Sequence, residues 1–472
     1  MKSEAIVQYL KTRGVKVLEE EDIETKLETW RQWYKGKVDS FHKYKVYSGK
    51  KRLTLNRASL NMASRVCQRW ADLLLNEKCE INCTDENTQI VINQLLERTN
   101  FFVRGNNLLE QAFAVGGGFF VEYFDGKQTG IKYITQDYMY PISYDSGRLK
   151  EVAFASRKTI DRETYTYLET HLLDENDNYV IDNVLLSGRD GELKEVSADF
   201  YEEHGIIPKW ETGSPIPLFQ MIRPNIANRD DFNSPYGTSV YSGATDILKS
   251  IDIIYDSAQK EFLLGKKRIF VHDGVTQFNI DKDGNQIRVF DPNDEVFYRL
   301  PDAEDPNSPP IIESNLALRV TEHDGEMQTQ LNLLSQSVGF GSNGFKWEQG
   351  NAATATQIIS QNSEMFRTMK KHEMLLKQAI INCVHGLLFI ESTFNGTVVN
   401  LDDEISVNFD DSIIEDVAEQ RRQALIEYNA GLIDAVEYYV QVYKLTVEQA
   451  IQYRDEMLAR VPAPPEEVEP EV

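Results

Sequence analysis

No G-x-x-x-x-G-K-[ST] stretch occurs in the 472 residues, so a P-loop nucleotide motor is excluded at the level of its motif. The seven histidines form no H-E-x-x-H pair and accompany no G-x-S-x-G elbow, which removes the common zinc-protease and serine-hydrolase patterns. Cysteine is scarce. Cys67, Cys79, Cys83 and Cys383 are too few and too scattered for a disulfide framework. Cys79 and Cys83 are spaced like zinc ligands, but no second Cys or His pair stands near them, so reduced structural thiols are expected. Positive charge is in deficit, with 50 Lys and Arg against 75 Asp and Glu and a formal net charge of −25. That balance argues against a sequence-reading nucleic-acid binder, which needs basic patches to neutralise phosphates. It leaves room for a protein that stays near DNA without gripping it. No apolar run approaches the ~18 residues of a membrane span. The most apolar stretch, "AIINCVHGLLFI", is short and sits inside an amphipathic pattern, and the N-terminal "MKSEAIVQYLKTRG" lacks the apolar core of a secretory signal. A soluble protein made in the cytoplasm is the expectation.

What is present is enough apolar chain, 41% of residues, to bury a large core, divided by length into roughly two to four domains. The first 115 residues read as helical. Ile23, Leu27, Trp30 and Tyr34 recur at helical spacing before Gly36, and Leu60, Ala63, Cys67, Trp70 and Leu74 stripe a second helix between Leu55 and Leu75. From Gly116 the pattern becomes short β-runs broken by turns such as "YFDGKQTG", "SYDSGR" and "DENDNY", an antiparallel meander ending near Phe219. Helix returns between Ser234 and Gly265, where Ala244, Ile247, Ile251, Ile254, Ala258 and Phe262 share an apolar face. Short strands and the loop "PDAEDPNSPP" follow. A further helix is expected from about Gly325 to Gln336, capped by Asp324, with Met327, Leu331 and Leu334 on one face. A long helix then runs to about Ile390, a strand "EISVNF" returns, and three helices precede an acidic, Pro-rich tail from 461 to 472 that is expected to be disordered. Gly431 separates the first two of these helices, and Thr446 with Gln449 offers the last a capping box.

Each motif with a chemical possibility has a structural reading that fits better. Gly116–Gly118 lacks the phosphate-binding lysine and reads as the start of a strand. "NIDKDGNQIRVF" opens like a calcium loop with Asn279, Asp281, Asp283 and Gly284, but its twelfth position is Phe290 where a bidentate glutamate is required, so an Asp-Gly hairpin is expected. His372 is placed on the polar side of the long helix and His385 among apolar neighbours, both structural. Asp402, Asp403, Glu404, Asp410 and Asp411 read as a solvated acidic edge rather than a magnesium site. No catalytic residue, metal ligand or cofactor is expected, and the chain is not read as an enzyme.

One stretch asks for a different explanation. "FGSNGFKWEQGNAATATQ", from Phe340, has Gly341, Gly344 and Gly350 loosening a loop that carries Lys346 and Trp347 ahead of the long helix. The order helix, β-insert, helix, flexible loop, long helix resembles the portal proteins of tailed bacteriophages. "TATQIISQNSEMFRTMKKHE" looks like the start of their tunnel-side helix, "NSPYGTSVYSGATDILKSIDIIYDSAQKEF" like the approach to their stem, and "RWADLLLNEKCEI" like an N-terminal signature of one portal group.

The resemblance implies an α+β portal fold: wing at 1–233, stem helices at 234–265 and 316–336, a clip at 266–315, a tunnel loop at 337–351, the long helix and return strand of the wing at 352–410, and a crown at 411–460. It also implies a dodecameric ring at one capsid vertex of the virion, assembled in the host cytoplasm. Double-stranded DNA would pass through it without sequence specificity during packaging and ejection. The implied partners are the terminase large subunit, head-completion or adaptor proteins, and the major capsid and scaffolding proteins, with no membrane. Gly341, Gly344, Phe345, Lys346, Trp347 and Glu348 would form the DNA-channel loop; Ile247, Ile251, Ile254, Ala258, Phe262, Leu331 and Leu334 the stem; and Asp302, Glu304 and Asp305 the clip docking surface. The alternative reading is a metal-dependent nuclease associated with DNA packaging, which needs a convergent carboxylate site. A membrane-active channel, which needs apolar spans, is a third.

Overall fold

Apolar spacing sets the N-terminal elements of the computed structural model. It describes residues 4–18, 22–48, 51–76, 78–188, 193–265, 268–272, 278–280, 286–288, 297–300, 311–314, 317–342, 344–345, 355–409, 417–443 and 447–459. Helix α1 (Glu4–Thr12) buries Ile6 and Leu10. Helix α2 (Ile23–Tyr34) buries Ile23, Leu27, Trp30 and Trp33, so Trp33 takes the core position expected of Tyr34. Gly36, at φ 65°, follows its end. A short α3 (Asp39–His42) leads into an antiparallel hairpin, β1 (Lys43–Ser48) and β2 (Lys51–Asn56). This hairpin departs from the all-helical expectation: "KYKVYS" and "KRLTLN" alternate with period two, the strand period. Helix α4 (Met62–Leu74) is therefore shorter than expected and begins after Leu60.

Strand β3 (Glu80–Asn82) precedes α5 (Glu86–Arg98), whose first turn is capped by the Asp85 carboxylate accepting from the Thr88 N–H at 2.8 Å. Helix α6 (Phe101–Val115) ends at Gly116, φ 101°, and β4 (Gly118–Phe124) begins there, as the glycine triplet suggested. Glycine is required: a Cβ on Gly237 would run into the Gly116 carbonyl oxygen, so two backbones cross in contact. The meander continues through β5 (Thr129–Thr135), β6 (Met139–Asp145), β7 (Arg148–Ile160), β8 (Glu163–Leu173), β9 (Tyr179–Ser187) and β10 (Lys194–Glu195). Helix α7 (Ala198–Glu203), β11 (Lys209–Glu211) and β12 (Phe219–Ile222) close it. Two sheets result, one ordered β12-β4-β5 and the other β10-β9-β8-β7-β6 with β11 beside β9.

Helix α8 (Thr245–Leu264) leads to β13 (Arg268–His272), β14 (Phe278–Ile280), β15 (Gln286–Arg288), β16 (Phe297–Leu300) and β17 (Ile311–Ser314). β14 and β15 pair antiparallel, the hairpin expected in place of a calcium loop. Helix α9 (Val320–Ser337) starts a turn and more before the expected Gly325, so Asp324 lies inside it rather than capping it. Helix α10 (Ala355–Asn395) has 41 residues, about 60 Å at 1.5 Å per residue. Strand β18 (Ser406–Asn408) pairs with β3, and α11 (Val417–Asn429), α12 (Ala435–Tyr443) and α13 (Val447–Ala459) end the chain, with Gly431 at φ 71° between the first two. Thr446 lies outside the described residues, so the capping box expected there has no structural account.

The main core gathers α2, α4, α6, β4 and α10 around Trp70, Phe113, Phe119 and Phe120. From α10 it takes Leu376, Ile380, Cys383, Val384 and Leu387, all buried, each worth about 1.5–3 kcal/mol for a large aliphatic side chain. Residues Glu364–Asn395 are long and apolar enough to cross a membrane by length and composition, and this packing accounts for that apolar side. The N-terminal and middle thirds of the chain are thus fastened to one strut.

Candidate functional site

The strut and the helix before it bracket the glycine-rich loop, and the root of that loop is built like a latch. Helix α9 ends in a Schellman arrangement: Phe340 N–H donates to the Ser335 carbonyl at 2.9 Å and Gly339 N–H to Gln336 at 3.2 Å, with Gly339 at φ 86°. A side chain on Gly339 would strike Thr368 of α10, so this glycine also sets how closely the two helices approach. The Ser335 hydroxyl donates to the Gly341 carbonyl at 2.5 Å and accepts the Gly344 N–H at 2.9 Å.

A second set of contacts comes from α4. The Arg69 guanidinium donates to the Gly344 carbonyl and lies over the rings of Phe340 and Phe345, 4.7 and 5.4 Å from their centroids. Burial lowers the Arg69 pKa, the mark of a partly desolvated cation. Trp70 stacks on Phe340 at 4.4 Å and donates its indole N–H to the Val338 carbonyl at 3.1 Å. Gln328 of α9 donates to the Phe345 carbonyl at 3.1 Å. Gly341 and Gly344 thus sit in a hydrogen-bonded turn, and Phe345 is half-buried against the core. Lys346, Trp347 and Glu348 lie outside the described residues. Of the expected loop residues, the structure brings the first three together as an anchor.

His372 belongs to this neighbourhood and corrects the expectation of a polar-side histidine. It is buried, edge-on to Trp70 at 4.9 Å and Phe113 at 5.1 Å, and its Nδ1 accepts the Asn225 N–H at 2.9 Å. Burial, with help from Lys371, pushes its pKa down to about 4, so it is neutral at pH 7. Arg69, Ser335 and Gly339 were not singled out from the sequence. Gly339 was legible, since a glycine one residue past a helix and followed by an apolar residue marks this C-cap.

Helices α8 and α9 pack together through Ile251, Met327, Leu331 and Leu334, all buried, with Ile247, Ile254 and Ala258 half-buried. Toward the end of α8 the apolar face opens: Phe262 is 57% and Leu263 65% exposed. The Glu261 carboxylate closes that end of the pair, accepting from the Arg319 backbone at 2.9 Å, from its guanidinium at 3.0 and 3.2 Å, and lying 2.6 Å from His323 Nε2. Those contacts, Arg319 first, hold its pKa down to about 2.

In the acidic edge Asp402 and Glu404 are exposed, as expected, and Asp403 between them is half-buried. Asp403 accepts the N–H groups of Thr84 and Asp85 at 2.9 and 2.8 Å and the Thr84 hydroxyl, which pins the turn ahead of α5 and lowers its pKa to about 2. Asp410 and Asp411 lie outside the described residues, as do Asp302, Glu304 and Asp305.

A family model described as "Phage portal protein, SPP1 Gp6-like" matches residues 16–459. No curated protein matches the chain. The match runs through the latch, the α8–α9 pair and the strut without a break, and the chain belongs to the SPP1 Gp6-like family of phage portal proteins.

Proposed function

We propose that this portal protein forms a ring of twelve copies at one capsid vertex, through which double-stranded DNA enters during packaging and leaves at infection. The observation that carries the reading is the α8–α9 pair, which buries one side in the main core yet leaves Phe262, Leu263 and Leu333 exposed, an apolar surface suited to neighbouring copies. Such a channel must pass DNA without holding it, because every neutralised phosphate releases counterions and adds affinity. A net charge of −25 per copy keeps the duplex centred by repulsion. Residues 266–315 would be the clip, docking the terminase and later head-completion proteins, with Asp302, Glu304 and Asp305 in its acidic loop. Residues 346–350 would reach the duplex, with Lys346 as a weak basic ring, while the anchor at Arg69 and Ser335 fixes where that reach begins.

Sedimentation velocity and negative-stain imaging of the purified chain test the proposal. Rings with a central hole are the expected result; a chain that stays monomeric across salt and concentration would refute it.

A further inference from the structure

The hairpin β1–β2 is out of keeping with the rest of the chain. Between Lys43 and Arg57 there are six basic residues and no acidic one, in a protein of net charge −25. Its register places Tyr44 and Val46 opposite Leu55 and Leu53 on one face, and Lys45 and Tyr47 opposite Thr54 and Arg52 on the other. Tyr44 and Val46 are half-buried, but Lys45, Tyr47 and every residue of β2 are exposed, Leu53 and Leu55 included. A two-stranded ribbon of this kind is marginal alone, and here its base is anchored to the body of the protein.

That base is on α8. Asp252 accepts the Leu60 N–H at 2.8 Å and the Ser59 hydroxyl at 2.9 Å and lies 3.0 Å from His42 Nε2. Asp256 accepts the Ala58 N–H at 3.0 Å, and Lys260 bonds Asp256 at 2.5 Å and the Tyr44 hydroxyl. These three residues, four apart, fall on one side of the helix. Glu261, which bonds Arg319 and His323 at the start of α9, falls on another. At about 100° per residue the two sides are roughly 140° apart. Ribbon and α9 therefore flank α8 on opposite sides.

On α9, the exposed side carries a matching stripe. Glu322, Glu326, Thr329 and Leu333, spaced i, i+4, i+7 and i+11, share one face and are all exposed. The buried Met327, Leu331 and Leu334 lie well around the helix from them. Acid at one end and leucine at the other complement the ribbon face that offers Lys45 and Arg52 beside the exposed Tyr47.

We infer that the ribbon of one copy docks on the Glu322–Leu333 face of α9 in the next copy, as a head-to-tail clasp between ring neighbours. The inference rests on the ring reading above. Opposite flanks and complementary chemistry are what a heterologous, ring-closing contact needs, and the partner is a second copy of this chain rather than DNA.

Charge exchange tests it in full-length protein. A ribbon variant, Lys45→Glu with Arg52→Glu, puts acid against acid; a helix variant, Glu322→Lys with Glu326→Lys, puts base against base. Each alone is expected to lose the ring boundary in sedimentation velocity at about 0.1 M salt, where exposed charges are only partly screened, while its far-UV circular dichroism stays that of the wild type. Mixing the two variants restores both contacts, ribbon to helix in each direction, and rings are expected to return only in the mixture. A folding defect would not be repaired by mixing. Rings formed by either variant alone at the wild-type level would overturn the clasp and leave the ring reading standing; a wild type that forms no rings overturns both. If the ribbon variant keeps its rings but loses filter retention of a double-stranded DNA fragment, the ribbon faces DNA and the clasp is wrong.

Discussion

Arg69→Ala should loosen the latch without unfolding the protein. The substitution removes a charge-assisted hydrogen bond to the Gly344 carbonyl and the cation's contact with Phe340 and Phe345. A hydrogen bond to a charged group contributes about 1.5–3 kcal/mol, and a partly buried cation–π contact about 1 kcal/mol. Against this stands the cost of desolvating a half-buried guanidinium, visible in its lowered pKa. A net loss of about 2 kcal/mol in local stability is expected, and at 1.4 kcal/mol per factor of ten this raises local opening about 30-fold. Amide hydrogen exchange reads it directly. The Gly344 N–H, bonded to the Ser335 hydroxyl, should exchange about 30-fold faster under conditions where reclosing outpaces exchange. The Phe340 N–H, held by the helix cap, should change much less. Arg69→Lys keeps the charge but not the planar fork and should fall between. Equal protection of Gly344 in wild type and Arg69→Ala would refute the latch, as would an equal acceleration at Phe340.

Gly341→Pro with Gly344→Pro should damage the same turn, because Gly341 sits at φ 69°, closed to proline, and Gly344 must donate its N–H; the expected outcome is less DNA retained per assembled head, measured on particles purified after packaging. Asp403→Asn should remove an acid-sensitive contribution: the wild-type carboxyl is held near a pKa of about 2, below its ordinary value of about 4, so its stabilisation is present above pH ~4 and lost as pH falls through ~2. Urea midpoints from pH 5 to 2.5 should converge for the two proteins at the acid end. Glu122 is fully buried beside α10, and burial raises its pKa well above the carboxylate range. The unfolded chain then releases a proton that the folded chain keeps, so stability falls as pH rises above ~4. Glu122→Gln should flatten that slope between pH 4 and 8 in urea titrations.

The reasons these elements were or were not legible are physical. Helix α2 could be read because its four core residues repeat at a local period, and the strands from Gly116 to Phe219 because Asp-Gly and Ser-Gly turns mark their ends within a few residues. Gly116 and Gly431 did in the structure what their neighbours predicted. Where a reading depended on partners far along the chain, it was incomplete. His372 looked polar-facing until α4 and α6 supplied Trp70 and Phe113 to cover it. Asp324 looked like a cap until Arg319 bonded Glu261 and helix began earlier. Arg69 and Gly344 are 275 residues apart, and no local pattern announces that a cation will lie over two rings there. The sequence by itself determined the kinds and order of most elements, since propensity and period act over a few residues. Only tertiary structure decided which glycines are pinned, which histidine is neutral and which acid is held ionised, because burial and hydrogen-bond partners belong to the folded chain alone.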